Sequence, residues 1–429
     1  MRIGQLTVVM AMLSMVVVAC GTPTPSPPAA SPTLARSETG QSGGLRVASL
    51  QVDRMVCPNC AFTVEFFIEG KPGVIQASID FLRTGGQVIY DPTQITPDEI
   101  VAAIPPPFEG KVLEDKPAEP LRAASATGAK IPLASGTAVA ITDHPKNQMG
   151  PAVYGGRVVW NDQRKSIGDI ALYDLGLREE MFVTQNPRRQ GVPHIYENRI
   201  VWQDTRNLNP DIYMYDLSSG EEKQITDNPA NQIHPRIHAD VIAWADNRNG
   251  NMDIYMYDLR TGQEKPVTSD PANQVLPDVY GERIAWQDLR NKNPDIFLYD
   301  LSTGEERSLV VKPGMQVNPR ISGDRVVWAD NRNGDFDIYL LDLGSGEEQA
   351  ITTAPGDQLF PAISGDLIVW QDERNGNKDI FLYDLRTGQE MQVTADPADQ
   401  GVPQIHGNEI VWNDGRNGNT DIYVFTLKQ

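Results

Sequence analysis

NQIHPRIHADVIAWADNRNGNMDIYMYDLRTGQEKPVT, residues 231–268, holds one period of a repeat, and its reading decides the fold. DVIAW and DIYMYDL alternate and are rich in β-branched and aromatic side chains, as half-buried strands are. RNGN and RTGQ between and after them have the residues of tight turns. EKPVT reads as a shorter strand, and the segment ahead of DVIAW as another. The Trp of this unit, Trp244, recurs as Trp160, Trp202, Trp286, Trp328, Trp370 and Trp412, always 42 residues apart, and these seven are all the tryptophans of the chain. Asp follows each Trp by two residues, from Asp162 to Asp414, and Arg follows two further on, from Arg164 to Arg416. Upstream, Gln148 to Gln400 keep the same step, with Pro151 to Pro403 three residues after each.

Four short strands per 42 residues match one blade of a β-propeller. No apolar period near 3.6 residues is present, which excludes a helical solenoid. Seven W-x-D strands and seven D-I strands (Asp169-Ile170 to Asp421-Ile422) are present, but the GEExxIT-type strand occurs six times after them. AVAIT, residues 138–142, supplies the missing strand and would close the ring by completing the last blade. The expectation is an all-β seven-bladed propeller over 137–429.

The units DNRNGNMDIYMYDLRTGQ and DERNGNKDIFLYDLRTGQ resemble TolB-type propeller repeats, and the resemblance covers essentially all of 137–429. It implies a protein-binding or scaffold module. D-x-R-N-G-N-x-D is superficially similar to a calcium loop, but a central Arg opposes a cation, so Asp and Arg are read as a local structural pair. Four of the five histidines, His194, His234, His238 and His406, lie on inner-strand segments, and Arg236 and Arg320 share the register position of His194. This cluster can line the channel mouth and bind an anion or metal; drift at tolerant surface positions is the reading adopted. No nucleophile–base–acid arrangement stands out, and an enzyme is not expected.

Outward from the array, residues 117–136 are small and Pro-rich, a linker. At the N-terminus an apolar run from Leu6 to Ala19 is short for a membrane span and ends in VVAC. It resembles the lipobox of bacterial lipoproteins, which implies removal of signal peptide 1–19 and lipidation of Cys20, and hence work outside the cytoplasmic membrane. A Pro/Ser/Thr/Gly tether completes 20–44. With 37 basic and 57 acidic side chains the net charge is −20, which disfavours nucleic acid as a partner.

Residues 45–116 hold MVCPNC, with Cys57 and Cys60, the two remaining cysteines of the chain's three. They can be a metal clamp, a redox pair or a structural disulfide. LRVASLQVD, VIQASIDF, GQVIYD and KVLED read as strands. AFTVEFFIEG and TPDEIVAAI read as helices, the second with Thr96 and Glu99 as a capping box. The order βαββαβ predicts a small α+β ferredoxin-like domain. With MxCxxC in the first strand–helix loop, the segment resembles the heavy-metal-associated domain of copper chaperones. The resemblance implies that Cys57 and Cys60 bind a soft metal, Cu(I) ahead of Hg(II) or Zn(II), that Met55 packs into the core, and that Phe108 covers the loop. A thiolate pair near a helix N-terminus suits such an ion. The expected whole is an extracytoplasmic, lipid-anchored metal-binding protein whose propeller docks a protein partner. The alternative is an interaction protein whose thiols form a passive disulfide.

Overall fold

From residue 136 onward the chain folds into seven four-stranded antiparallel sheets, one for each Trp of the repeat. The structure is a computed structural model and describes residues 46–53, 64, 68, 71, 73–80, 85–104, 108–117, 131–165 and 168–428. Signal peptide, Cys20, tether, Met55, Cys57 and Cys60 lie outside the described residues.

The N-terminal sheet is built from β1 (Arg46–Asp53), β2 (Val74–Asp80), β3 (Gly85–Tyr90) and β4 (Glu109–Pro117). Its strand order is β2-β3-β1-β4, and every neighbouring pair is antiparallel. Val64 and Ile68, helical and fully buried, follow β1, and α1 (Pro97–Ala102) follows β3. The capping box read from the sequence is present: the Glu99 N–H donates to Thr96 Oγ1 and the Thr96 N–H to Glu99 Oε2. Phe108 packs half-buried against the core of this domain.

Blades 1–6 occupy 148–182, 190–224, 232–266, 274–310, 316–350 and 358–392. Blade 7 takes three strands from 400–427 and its fourth from β5 (Gly136–Ala140), which pairs antiparallel with Asp421–Leu427. This is the closing strand anticipated from AVAIT. It begins two residues earlier, and past its end the Ile422 N–H donates to Thr142 Oγ1. First strands of adjacent blades contact each other all round, blade 7 against blade 1, so they line the central channel.

The end of the 117–136 segment lies along the outside of the propeller. Ala134 N–H donates to the Gln392 carbonyl and Gln392 N–H to the Pro132 carbonyl, a parallel bridge along the outer strand of blade 6.

Each blade is held by the repeated triad. All seven Trp side chains are fully buried between blades. In blade 3, Trp244 Nε1–H donates to Asp246 Oδ2 (3.1 Å), and Arg248 pairs with the same carboxylate. The Arg248 guanidinium also meets Glu264 and lies 4.2 Å above the Tyr255 ring. The Asp–Arg pairing expected in place of a calcium loop therefore holds: Asn249 caps the second carboxylate, Asp253, at 2.9 Å. At several junctions a buried Thr latches one blade to the next, although Val310 stands at that position between blades 4 and 5. Thr226 Oγ1 accepts from Ile212 N–H and donates to Gln232 Oε1 of the next blade (3.1 Å).

The repeated Pro has its reason in the innermost strands. Each carries a β-bulge two residues after its Gln, as between Ile233 and Arg236. The first bulge residue adopts a left-handed backbone in all seven blades: Gly150, Val192, His234, Leu276, Asn318, Phe360 and Val402. Pro follows at the unpaired position, where the missing N–H costs no ladder bond.

Candidate functional site

One residue beyond each Pro, and again three beyond, the innermost strands present positions that the repeat leaves free. The outer set, Tyr154, Tyr196, His238, Tyr280, Ser322, Ser364 and His406, surrounds one mouth of the channel, a cavity of about 590 Å³. The rings of His406, Tyr154, Tyr196, His238 and Tyr280 are in contact in that order, with centroids 4.1, 4.8, 4.4 and 4.2 Å apart. They make an aromatic crescent over five blades. Ser322 and Ser364 leave the remaining arc low.

Behind the rim, at the register of His194, stand Arg236, Asp278, Arg320 and Gln404, with alanines in blades 1 and 6. Arg236 Nε lies 3.6 Å from Asp278 Oδ1, and these side chains are only 15 % and 10 % exposed. Asp278 Oδ2 accepts from Ile321 N–H at 2.9 Å. Arg320 donates to the Pro319 carbonyl, while its Nε has no partner. The sequence cluster is thus brought together at the channel, and the reading as surface drift is corrected. These residues fall outside the W-x-D-x-R motif because the scaffold does not need them, and they sit where all seven blades converge.

Backbone groups set the histidine tautomers. Ile237, Gly281 and Gly155 N–H donate to Nδ1 of His194, His238 and His406, respectively. The neutral rings therefore carry their proton on Nε2 and present it as a donor. Burial, and then the charges of Arg236 and Arg320, hold the His194 imidazole well below its usual range. The same causes push His234 down to about 4, and burial followed by Arg320 pushes Arg236 down to about 9. The channel charges are poorly hydrated.

A pH dependence follows. The unfolded value of His234 is about 6.5, so below that pH the unfolded chain binds the proton and the native one does not. Stability is full above that value and falls as the pH drops towards 4. His234→Asn, which tolerates the φ of 55° at this bulge, is expected to lose less stability than the parent protein between about pH 7.5 and about pH 5. Urea melts at the two pH values check this; equal losses would remove His234 from the acid response.

Seven closed blades around a channel define a β-propeller protein. Residues 277–429 match the family of the TolB beta propeller domain. No curated protein matches the chain. TolB from Acinetobacter baumannii is 19 % identical, with a TM-score of 0.46; the match covers 58 % of this chain and 66 % of TolB, just under two thirds of its length. An oligogalacturonate lyase in complex with manganese is 13 % identical, with a TM-score of 0.54 over 71 % of this chain and 99 % of the lyase. A puromycin-hydrolyzing peptidase from Mycobacterium tuberculosis is 14 % identical, with a TM-score of 0.51 over 67 % of this chain and 52 % of its own.

The likenesses to the lyase and the peptidase show a shared fold. They also correct the expectation that the chain is not an enzyme, because a lyase and a peptidase are among the proteins with this fold. The regular residues build the blades, and the positions between them line the mouth of the channel.

Among the described residues no group of three His, Cys, Asp or Glu side chains is arranged to hold a metal ion, and no helix is long and apolar enough to cross a membrane.

Proposed function

We propose that this is an extracytoplasmic protein, lipid-anchored through Cys20, that carries a soft metal ion on Cys57 and Cys60 and uses its TolB-type propeller as a docking platform for a protein partner. Cu(I) is the first candidate ion, ahead of Hg(II) and Zn(II). The observation that supports the metal reading is the order of the N-terminal sheet, β4-β1-β3-β2, with helical residues after β1 and α1 after β3. A βαββαβ ferredoxin-like sandwich has that order, and MVCPNC then falls in the connection from β1 to the first helix. Thiolates there are favoured by the helix N-terminus, and two of them satisfy a soft monovalent ion without further ligands.

The test is a titration of the reduced, anaerobic full chain with Cu(I) against a competing chelator, beside Cys57→Ser/Cys60→Ser. One tight equivalent in the parent protein and none in the double variant is expected. Binding unchanged in the double variant, or absent from both, rejects the metal reading and favours the passive disulfide.

A further inference from the structure

We propose that the central channel of the propeller is a binding site for a small oxyanion, the carboxylate or phosphate group of a ligand that enters over the low arc of the rim at Ser322 and Ser364. At the register of His194 donors outnumber acceptors. Arg236 and Arg320 bring two guanidiniums and Asp278 one carboxylate, an excess of one cation there in a protein whose net charge is −20, with Asp324, Arg325 and Asp342 at the mouth outside this register. That carboxylate is already engaged by Arg236 and by the Ile321 N–H.

Donors are left over at this register and at the bulge beside it. Arg320 Nε has no partner, and neither has the amide nitrogen of Asn318, a side chain in a residue only 2 % exposed. The Nε2–H of His194 is free to donate because its Nδ1 is occupied. Buried donors without acceptors are costly, and guanidiniums match the forked geometry of carboxylate and phosphate. A metal cation fits poorly, because two guanidiniums oppose it and Nδ1 of His194, His238 and His406 is already accepting a backbone proton. The crescent of five rings gives the body of a ligand a flat wall, and the low arc at Ser322 and Ser364 leaves room for it to enter.

Calorimetric titration of the full chain in detergent with inorganic phosphate, and separately with succinate, tests the site at constant ionic strength in chloride. Saturable one-site binding of either is expected, and the one that binds identifies the group recognised. Arg320→Met should weaken it by about tenfold or more, the effect of removing a charged hydrogen-bond donor. Exposed Lys116→Met should leave it unchanged. Absence of saturable binding of both anions overturns the proposal, as does binding that Arg320→Met does not affect. Should that variant not fold, the parent protein still decides. Imidazole proton resonances of His194 and His238 must shift along the same saturation curve, and unshifted resonances would overturn the assignment to the channel.

Discussion

Asp246→Ala should destabilise the propeller by about 3–5 kcal/mol, the range for removing one partner of a buried ion pair. The carboxylate is fully buried and accepts from Trp244 Nε1, from the Arg248 backbone N–H (3.0 Å) and from the Arg248 guanidinium. Its removal leaves an indole N–H, a backbone N–H and one side of a guanidinium without acceptors where water cannot replace them. Glu264 remains as a second partner for Arg248, so the loss comes mainly from the buried groups. Urea denaturation followed by tryptophan fluorescence measures it. A loss below about 1 kcal/mol would mean that the desolvation of the carboxylate in the parent protein cancels its bonds, and that the triad is kept for blade geometry rather than stability.

Replacing residues 131–142 by a Gly/Ser segment of equal length should open the ring. The outer edge of Asp421–Leu427 would lose five paired residues of β5, at about 1 kcal/mol per backbone hydrogen bond. The Ile422 N–H would lose Thr142, and the outer strand of blade 6 would lose its bridge to 132–134. Close packing adds to this: at Gly136 a Cβ would lie 2.3 Å from the Phe425 ring, so the strand seats against that ring only through glycine. An unpaired edge strand is a template for association between chains. The replaced protein is therefore expected to melt earlier and to form dimers or larger species in size-exclusion chromatography with light scattering. A monomer with an unchanged melt would show that the closing strand is dispensable.

The scaffold was legible because it repeats. Trp, Asp and Arg at fixed spacing exposed the period, and the shortage of one outer strand pointed to AVAIT as the closing piece. The channel was legible only in part. His194, Arg236 and Arg320 were recognised as one register, but their variation in identity looked like drift, since neither a burial pattern nor a motif marks them. Tyr154, Tyr196 and Tyr280 were missed altogether. Aligning the chain on its own period would have placed them in a column with His238, Ser322, Ser364 and His406. The bulge was signalled by Pro151 to Pro403, yet a bulge is a backbone event, and Pro alone does not state which residue turns left-handed. The bridge at 132–134 was illegible for a related reason: it is made by backbone groups, and the side chains there read as linker.

The seven bulges carry a consequence for how this molecule can change. Their first residues are Gly, Val, His, Leu, Asn, Phe and Val, yet φ lies between 51° and 61° in all of them. The ring imposes the conformation and is indifferent to what it holds, even where a β-branched side chain such as Val192 or Val402 strains against it. The scaffold and the lining are therefore separable: the lining can be rewritten one blade at a time while Trp, Asp and Arg stay in place. Glycine or asparagine at the bulge would relax the backbone and leave the residues that line the mouth, which follow each Pro, as they are. Selection for a sturdier propeller can then act on these seven positions while selection for a particular ligand acts on the residues that follow each Pro.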